Sequence, residues 1–94
     1  MVAYWLARVN VTEPDAYAEY AKRATPAIEG HGGKFLARGG RVATLEGEDF
    51  ARNVVVEFPS YDQAVACYNS AEYQEAKACQ EGAAVRNLWI VEGV

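Results

Sequence analysis

Ninety-four residues, 51% hydrophobic and 12% aromatic, make one domain over residues 1–94 and lie outside the polar, highly charged regime of disordered chains. Nine basic against thirteen acidic residues give a net charge of −4 with no lysine or arginine run, which argues against a nucleic-acid partner. No segment approaches the about 18 apolar residues of a membrane span, and the N-terminal "MVAYWLARVNV" lacks the basic start and long apolar core of a signal peptide, so a cytoplasmic protein without a membrane partner is expected.

Residues 2–11 are rich in aromatic and β-branched side chains and free of glycine and proline, which predicts a first strand. Thr12 then offers an N-cap hydroxyl, Pro14 suits a first helical turn, and Glu13 and Asp15 complement the helix dipole. Tyr17, Tyr20, Ala21, Ala24, Ala27 and Ile28 recur at helical spacing until "GHGG" at 30–33 stops the helix; Pro26 is expected to bend it or loosen its last turns. The segment 34–46 reads as strand on both sides of Gly39 and Gly40. A hairpin there would set Arg38 directly opposite Arg41, an unfavourable like-charge pair, so one long edge strand with a glycine bulge or bend is expected.

Residues 47–51 form a loop, and "RNVVVEF" at 52–58 is a β-branched strand ended by Pro59 and Ser60. Ser60 with Gln63 makes a capping box for one helix, and Ser70 begins another, so a two-part helix is expected. Residues 86–92 complete the chain as a strand. The order strand, helix, strand, strand, helix, strand is that of an α+β, ferredoxin-like domain, with helices on one face of a four-stranded antiparallel sheet. Cys67 and Cys79 have no C-x-x-C or Cys/His company and read as reduced thiols used as small apolar side chains, with no metal site.

Side-chain alternation sorts the strand faces. Val54, Val56 and Phe58, with Ala3, Trp5, Ala7, Val9 and Val11, are assigned to the helices. Tyr4, Leu6 and Val55 fall among Arg8, Asn10, Asn53 and Glu57 on the opposite face, which no helix covers. A face this apolar and this polar predicts a homodimer in which two sheets face each other and enclose a small-molecule cavity. An ordinary half-solvated sheet is the alternative.

"GHGGKFLARGG" at 30–40, "RNVVVEFPSYDQAVACYNSAEYQEAK" at 52–77 and "IVEG" at 90–93 closely resemble the domain-of-unknown-function family numbered 1330, within the dimeric α+β barrel superfamily. The resemblance implies a ferredoxin-like protomer and a dimer and brings no established activity. Superfamily relatives include cofactor-free monooxygenases, isomerases of small cyclic acids and haem-dependent enzymes, so kinship does not select a chemistry.

Arg38, aimed by the glycine bend, is a candidate to hold a carboxylate or enolate oxygen. Arg8 and Glu57, inferred to be near each other, read either as an ion pair inside the dimer or as an anion-orienting arginine beside a buried base. Asn53, Tyr4 and Asn10 complete the candidate ligand-binding set. His31, the one histidine, is weighed as a catalytic base against a helix-terminal residue, and as a haem ligand it has no supporting partner. Tyr20 and Tyr73 are either core or pocket lining. No hydrolase, nucleotide or metal motif is present, and no cofactor is expected. Two readings stay open: a binder of a small anionic or aromatic metabolite that extends to cofactor-independent isomerisation or oxygenation, and a non-catalytic dimer whose polar residues only fix the association.

Overall fold

Strand β1 (Ala3–Val11) lies in the middle of the sheet, and its alternating burial follows directly from its sequence: Ala3, Trp5, Ala7 and Val9 are buried, while Tyr4, Leu6, Arg8 and Asn10 are half-buried. The computed structural model describes all 94 residues, and continues with α1 (Pro14–Gly30), β2 (Lys34–Arg38), β3 (Arg52–Phe58), α2 (Tyr61–Asn69), α3 (Ala71–Cys79) and β4 (Ala84–Glu92). The four strands form one antiparallel sheet in the order β2-β3-β1-β4, the ferredoxin-like arrangement expected from the sequence.

The core lies between the helices and one sheet face. Trp5 is its centre, 5.0 Å edge-on from the Tyr73 ring of α3 and 5.7 Å from Phe58 of β3. Trp5, Phe58 and Tyr73 are each at least 98% enclosed. In β4 the register turns Arg86, Leu88 and Ile90 toward the helices and leaves Asn87, Trp89 and Val91 on the open face, a choice its two comparably apolar parities left undecided.

The helix ends follow local chemistry with one correction. Thr12 does not cap α1. The N-cap is Glu13 without a side-chain bond, and the backbone N–H groups of Thr12 and Glu13 both donate to the carbonyl of Ala83, so the strand-β4 approach ties down this end. At the other end Gly32 (φ +89°) donates to Glu29 and Gly33 donates to Ile28, a Schellman closure that only a left-handed residue at position 32 allows. Pro26 does not interrupt α1, which remains one helix to Gly30. Ser60 and Ser70 accept hydrogen bonds from the backbone N–H groups of Gln63 and Tyr73, as the two-part helix requires.

The expected long edge strand is a second correction. β2 ends at Arg38, and residues 40–45 carry no strand. The irregularity is a bulge at Leu36, since Phe35 pairs with Val56 and Ala37 with Val55. Gly39 (φ +73°) then turns the chain out of the sheet.

Candidate functional site

Small side chains leave room between α1 and the sheet. Ala7 of β1 and Ala21 and Ala24 of α1 line a cavity of about 140 Å³, walled also by Trp5, Tyr17, Tyr20, Ile28, Phe35 and Val54. That is close to the roughly 150 Å³ of an apolar cavity known to take up benzene. The space sits within one protomer, on the helix-covered side of the sheet.

Three guanidinium groups border this apolar space, from Arg38, Arg52 and Arg86. Arg52 and Arg86 flank Val9 on either side of β1 and therefore share its inward face. Arg38 owes its direction to the bulge. Phe35 and Arg38 are three residues apart and would point to opposite faces of a regular strand; the extra residue Leu36 brings both to the helix side, where Arg38 pairs with Val54. The guanidinium of Arg38 stacks on Phe35 at 4.2 Å and donates to Thr25 Oγ1 at 3.3 Å, at the exposed mouth of the cavity. Arg52 runs beneath Gly39, where a Cβ would come within 3.0 Å of its Nη1.

No carboxylate balances these charges. The one salt bridge in the molecule is Arg23–Glu19, on the exposed side of α1. Nε of Arg52 is buried and has no hydrogen-bond partner, the one such side-chain atom in the protein. Arg86 is better satisfied: Nη1 donates to Tyr20 Oη at 2.9 Å and Nη2 to Tyr73 Oη at 2.8 Å, and the two phenol oxygens are 2.8 Å apart. Burial works against the charge on Arg86, but the tyrosine oxygens outweigh it and its pKa is raised, so the guanidinium stays charged. Burial, followed by the neighbouring Tyr20, raises the Tyr73 phenol far above its ordinary range. Tyr17 is raised for the same two reasons.

The residues expected from the sequence are divided by the fold. Arg38 borders the cavity, and Tyr20 lines it, while Tyr73 is core. Tyr4, Arg8, Asn10, Asn53 and Glu57 lie together on the open sheet face, with Arg8 opposite Asn53 and Tyr4 opposite Glu57. Arg8 and Glu57 form no ion pair. Arg8 donates instead to the carbonyl of Glu48 at 2.8 Å and stacks on Phe50 at 4.7 Å. Asn10 donates to Asp49 and accepts from Ala51, and Asn53 donates to Phe50. These polar groups hold the 48–51 loop over their end of the sheet. His31 stands at the C-cap of α1 with Nδ1 2.8 Å from the carbonyl of Ala27, outside the cavity lining.

Sequence reasoning passed over Arg52 and Arg86. The signal was present in parity: Arg52 shares the phase of Val54, Val56 and Phe58, and Arg86 that of Leu88 and Ile90, so each is a charge on an apolar face. No group of three or more His, Cys, Asp or Glu side chains is arranged to hold a metal ion, and no helix is long and apolar enough to cross a membrane.

The family described as "Domain of unknown function (DUF1330)" matches residues 2–94. The chain belongs to this family. Among solved structures, the DUF1330 fold is similar to the protein of unknown function RPA0582 from Rhodopseudomonas palustris, at 24% identity and a TM-score of 0.78 over 99% of this chain and 82% of that one. It is also similar to SnoaB, a cofactor-independent oxygenase from Streptomyces nogalater, at 8% identity and a TM-score of 0.70 over 99% of this chain and 93% of that one. A dimeric, ferredoxin-like protein of unknown function from Bacteroides fragilis matches at 12% identity and a TM-score of 0.64 over 98% and 96% of the two chains. No curated protein matches the sequence. At these identities the likeness is one of fold.

Proposed function

We propose that this DUF1330 protein is a homodimer that binds a small organic anion of about one ring in the cavity beneath α1. The observation that carries this reading is the set of three arginines around an apolar space with no carboxylate among its walls, one of them with a buried and unpartnered Nε. A cation with an unpaired buried donor is costly in a free protein, and a carboxylate in the cavity offsets that cost by pairing with the guanidinium charge. Apolar walls with a few fixed polar groups are the usual lining of a small-molecule site. In this arrangement Arg52 and Arg38 hold the anion and the ring packs between Trp5, Phe35 and the alanines of α1.

Thermal denaturation with benzoate and short aliphatic carboxylates tests the reading. An acid at about a hundred times its dissociation constant adds about 2.7 kcal/mol of stability. The expected result is a saturable rise in Tm with benzoate that is absent in Arg52→Met; no rise with any acid, or an equal rise in the variant, overturns it. The rival, a non-catalytic dimer whose open-face polar residues only fix the association, is separated by the same assay together with Arg8→Ala. The rival predicts no ligand effect and a dimer weakened by Arg8→Ala, whereas the binding reading predicts a benzoate effect that Arg8→Ala leaves in place and Arg38→Ala removes.

Catalysis by cofactor-independent oxygenation is a second reading. What favours it is the description of SnoaB as a cofactor-independent oxygenase and of a fold neighbour from Nitrosomonas europaea, 17% identical with a TM-score of 0.63, as a putative antibiotic biosynthesis monooxygenase. Its test is oxygen uptake with an acid that passes the binding assay: uptake dependent on the protein supports oxygenation, and binding without uptake restricts the protein to a binding role.

A further inference from the structure

The hydroxyl protons of Tyr20 and Tyr73 narrow the ligand class further, on the assumption that the anion-binding reading holds. Each phenol carries one proton and can accept hydrogen bonds as well. Arg86 donates to both oxygens, and one phenolic proton bridges the 2.8 Å between them. The second phenolic proton then has no protein acceptor, because neither oxygen has any other partner. Which residue carries that free proton is decided by surroundings. Tyr73 is fully enclosed and absent from the cavity wall, and Tyr20 lines the cavity. Leaving the spare donor on Tyr73 would bury it unsatisfied, so the low-energy arrangement has Tyr73 donating to Tyr20 and Tyr20 presenting its O–H to the cavity.

We propose that Tyr20 is a specificity-determining residue whose hydroxyl donates to a second oxygen of the ligand, and that the ligand class is a small carboxylic acid with a carbonyl or other acceptor oxygen away from its carboxylate. The carboxylate goes to Arg52 and Arg38 on the β2–β3 side, and the acceptor oxygen goes to Tyr20 on the β4 side. Arg86 acts through Tyr20: its charge on the phenol oxygen strengthens the O–H as a donor and holds it in place. Phe35, Trp5, Ala7 and Ala24 between the two ends offer only apolar contact.

The test compares 3- and 4-formylbenzoate with 3- and 4-methylbenzoate by calorimetric titration. The members of each pair have the same carboxylate and nearly the same shape, and only the aldehyde accepts a hydrogen bond. At least one formyl acid is expected to bind about 5- to 10-fold more tightly than its methyl partner, the worth of one hydrogen bond to a charge-assisted donor. In Tyr20→Phe that ratio falls to about 1. Equal affinities within both pairs in the unaltered protein, or a preference that survives in Tyr20→Phe, overturn the proposal. Equal affinities in the unaltered protein are decisive even if the variant does not fold. If the benzoates bind with Arg52 required and without formyl preference, only the role of Tyr20 fails; if none of the four binds, the anion site fails with it.

Discussion

Among single residues, Arg52 and Arg86 are both half-buried cations, yet their surroundings predict opposite responses to substitution. Nε of Arg52 has no hydrogen-bond partner and the guanidinium has no carboxylate, only the Tyr17 ring 5.9 Å away, so replacing the side chain by methionine removes a poorly compensated charge and keeps much of the packing. Arg52→Met should leave Tm unchanged or raised while anion binding is lost. Arg86 is the shared donor to two phenols, and Tyr73→Phe leaves its Nη2 without an acceptor; unfolding in urea should show a loss of about 1–3 kcal/mol. Opposite responses at the two arginines would be the signature of a site rather than of a structural cluster.

Cys67 adds a prediction in pH. Burial, followed by the nearby Glu72, pushes its thiol from 9.0 up to about 11, and burial also raises Tyr73 above 10.0. The folded chain therefore holds these protons more tightly than the unfolded one. The Cys67 contribution is complete below pH 9 and is lost as pH rises through about 11, and the Tyr73 contribution begins to fall only above about pH 10. Urea midpoints should fall steadily above pH 9, and Cys67→Ala, whatever its cost at pH 7, should flatten the fall between pH 9 and 10.

Among the elements, the turn after β2 joins backbone geometry to the site. Gly39 has φ +73°, and a Cβ there would press on Arg52 Nη1. Gly39→Ala should cost about 1–2 kcal/mol for the left-handed backbone and also weaken benzoate binding, because the displaced side chain is the proposed anion ligand. Loss of stability without loss of affinity would separate the turn from the site.

The same elements explain what could be read from the sequence. Alternation in β1 and β3 was legible because inward positions such as Trp5, Val56 and Phe58 are uniformly apolar. The glycine termination of α1 was legible from "GHGG" because one positive φ suffices. The bulge at Leu36 was not, since it shows only as a pairing between two strands and leaves no mark in the composition of either. The end of β2 at Arg38 was hidden for a similar reason: "RVATL" at 41–45 has strand-like residues, but no neighbouring strand pairs with it. Arg8, Asn10 and Asn53 looked like ligand contacts because polar residues on a mostly apolar face call for partners. The 48–51 loop of the same chain supplies them.

For the whole molecule, the sheet has one covered and one uncovered side. Val85, Trp89 and Val91 of β4 are 61%, 44% and 47% exposed on the uncovered one, beside the half-buried Tyr4, Leu6 and Val55. A contiguous apolar surface of this kind favours self-association, and a chain of this size gains burial that its own small core does not provide. Trp89→Glu should shift the protein from dimer to monomer in sedimentation equilibrium at micromolar concentration and leave the cavity beneath α1 intact. A monomer in the unaltered protein contradicts the dimer. The cavity faces the other way, so the proposed ligand and the proposed partner fall on opposite sides of one sheet.

That separation is open to a direct measurement, the backbone amide chemical shifts of the isotopically labelled protein during a titration with benzoate. Saturable changes concentrated at Ala21, Ala24 and Thr25 of α1 and at Arg38, Arg52 and Val54 of the facing strands are the predicted result. Changes concentrated instead at Leu6, Val55 and Trp89, or no saturable change at any amide, contradict an anion site between the helix and the sheet.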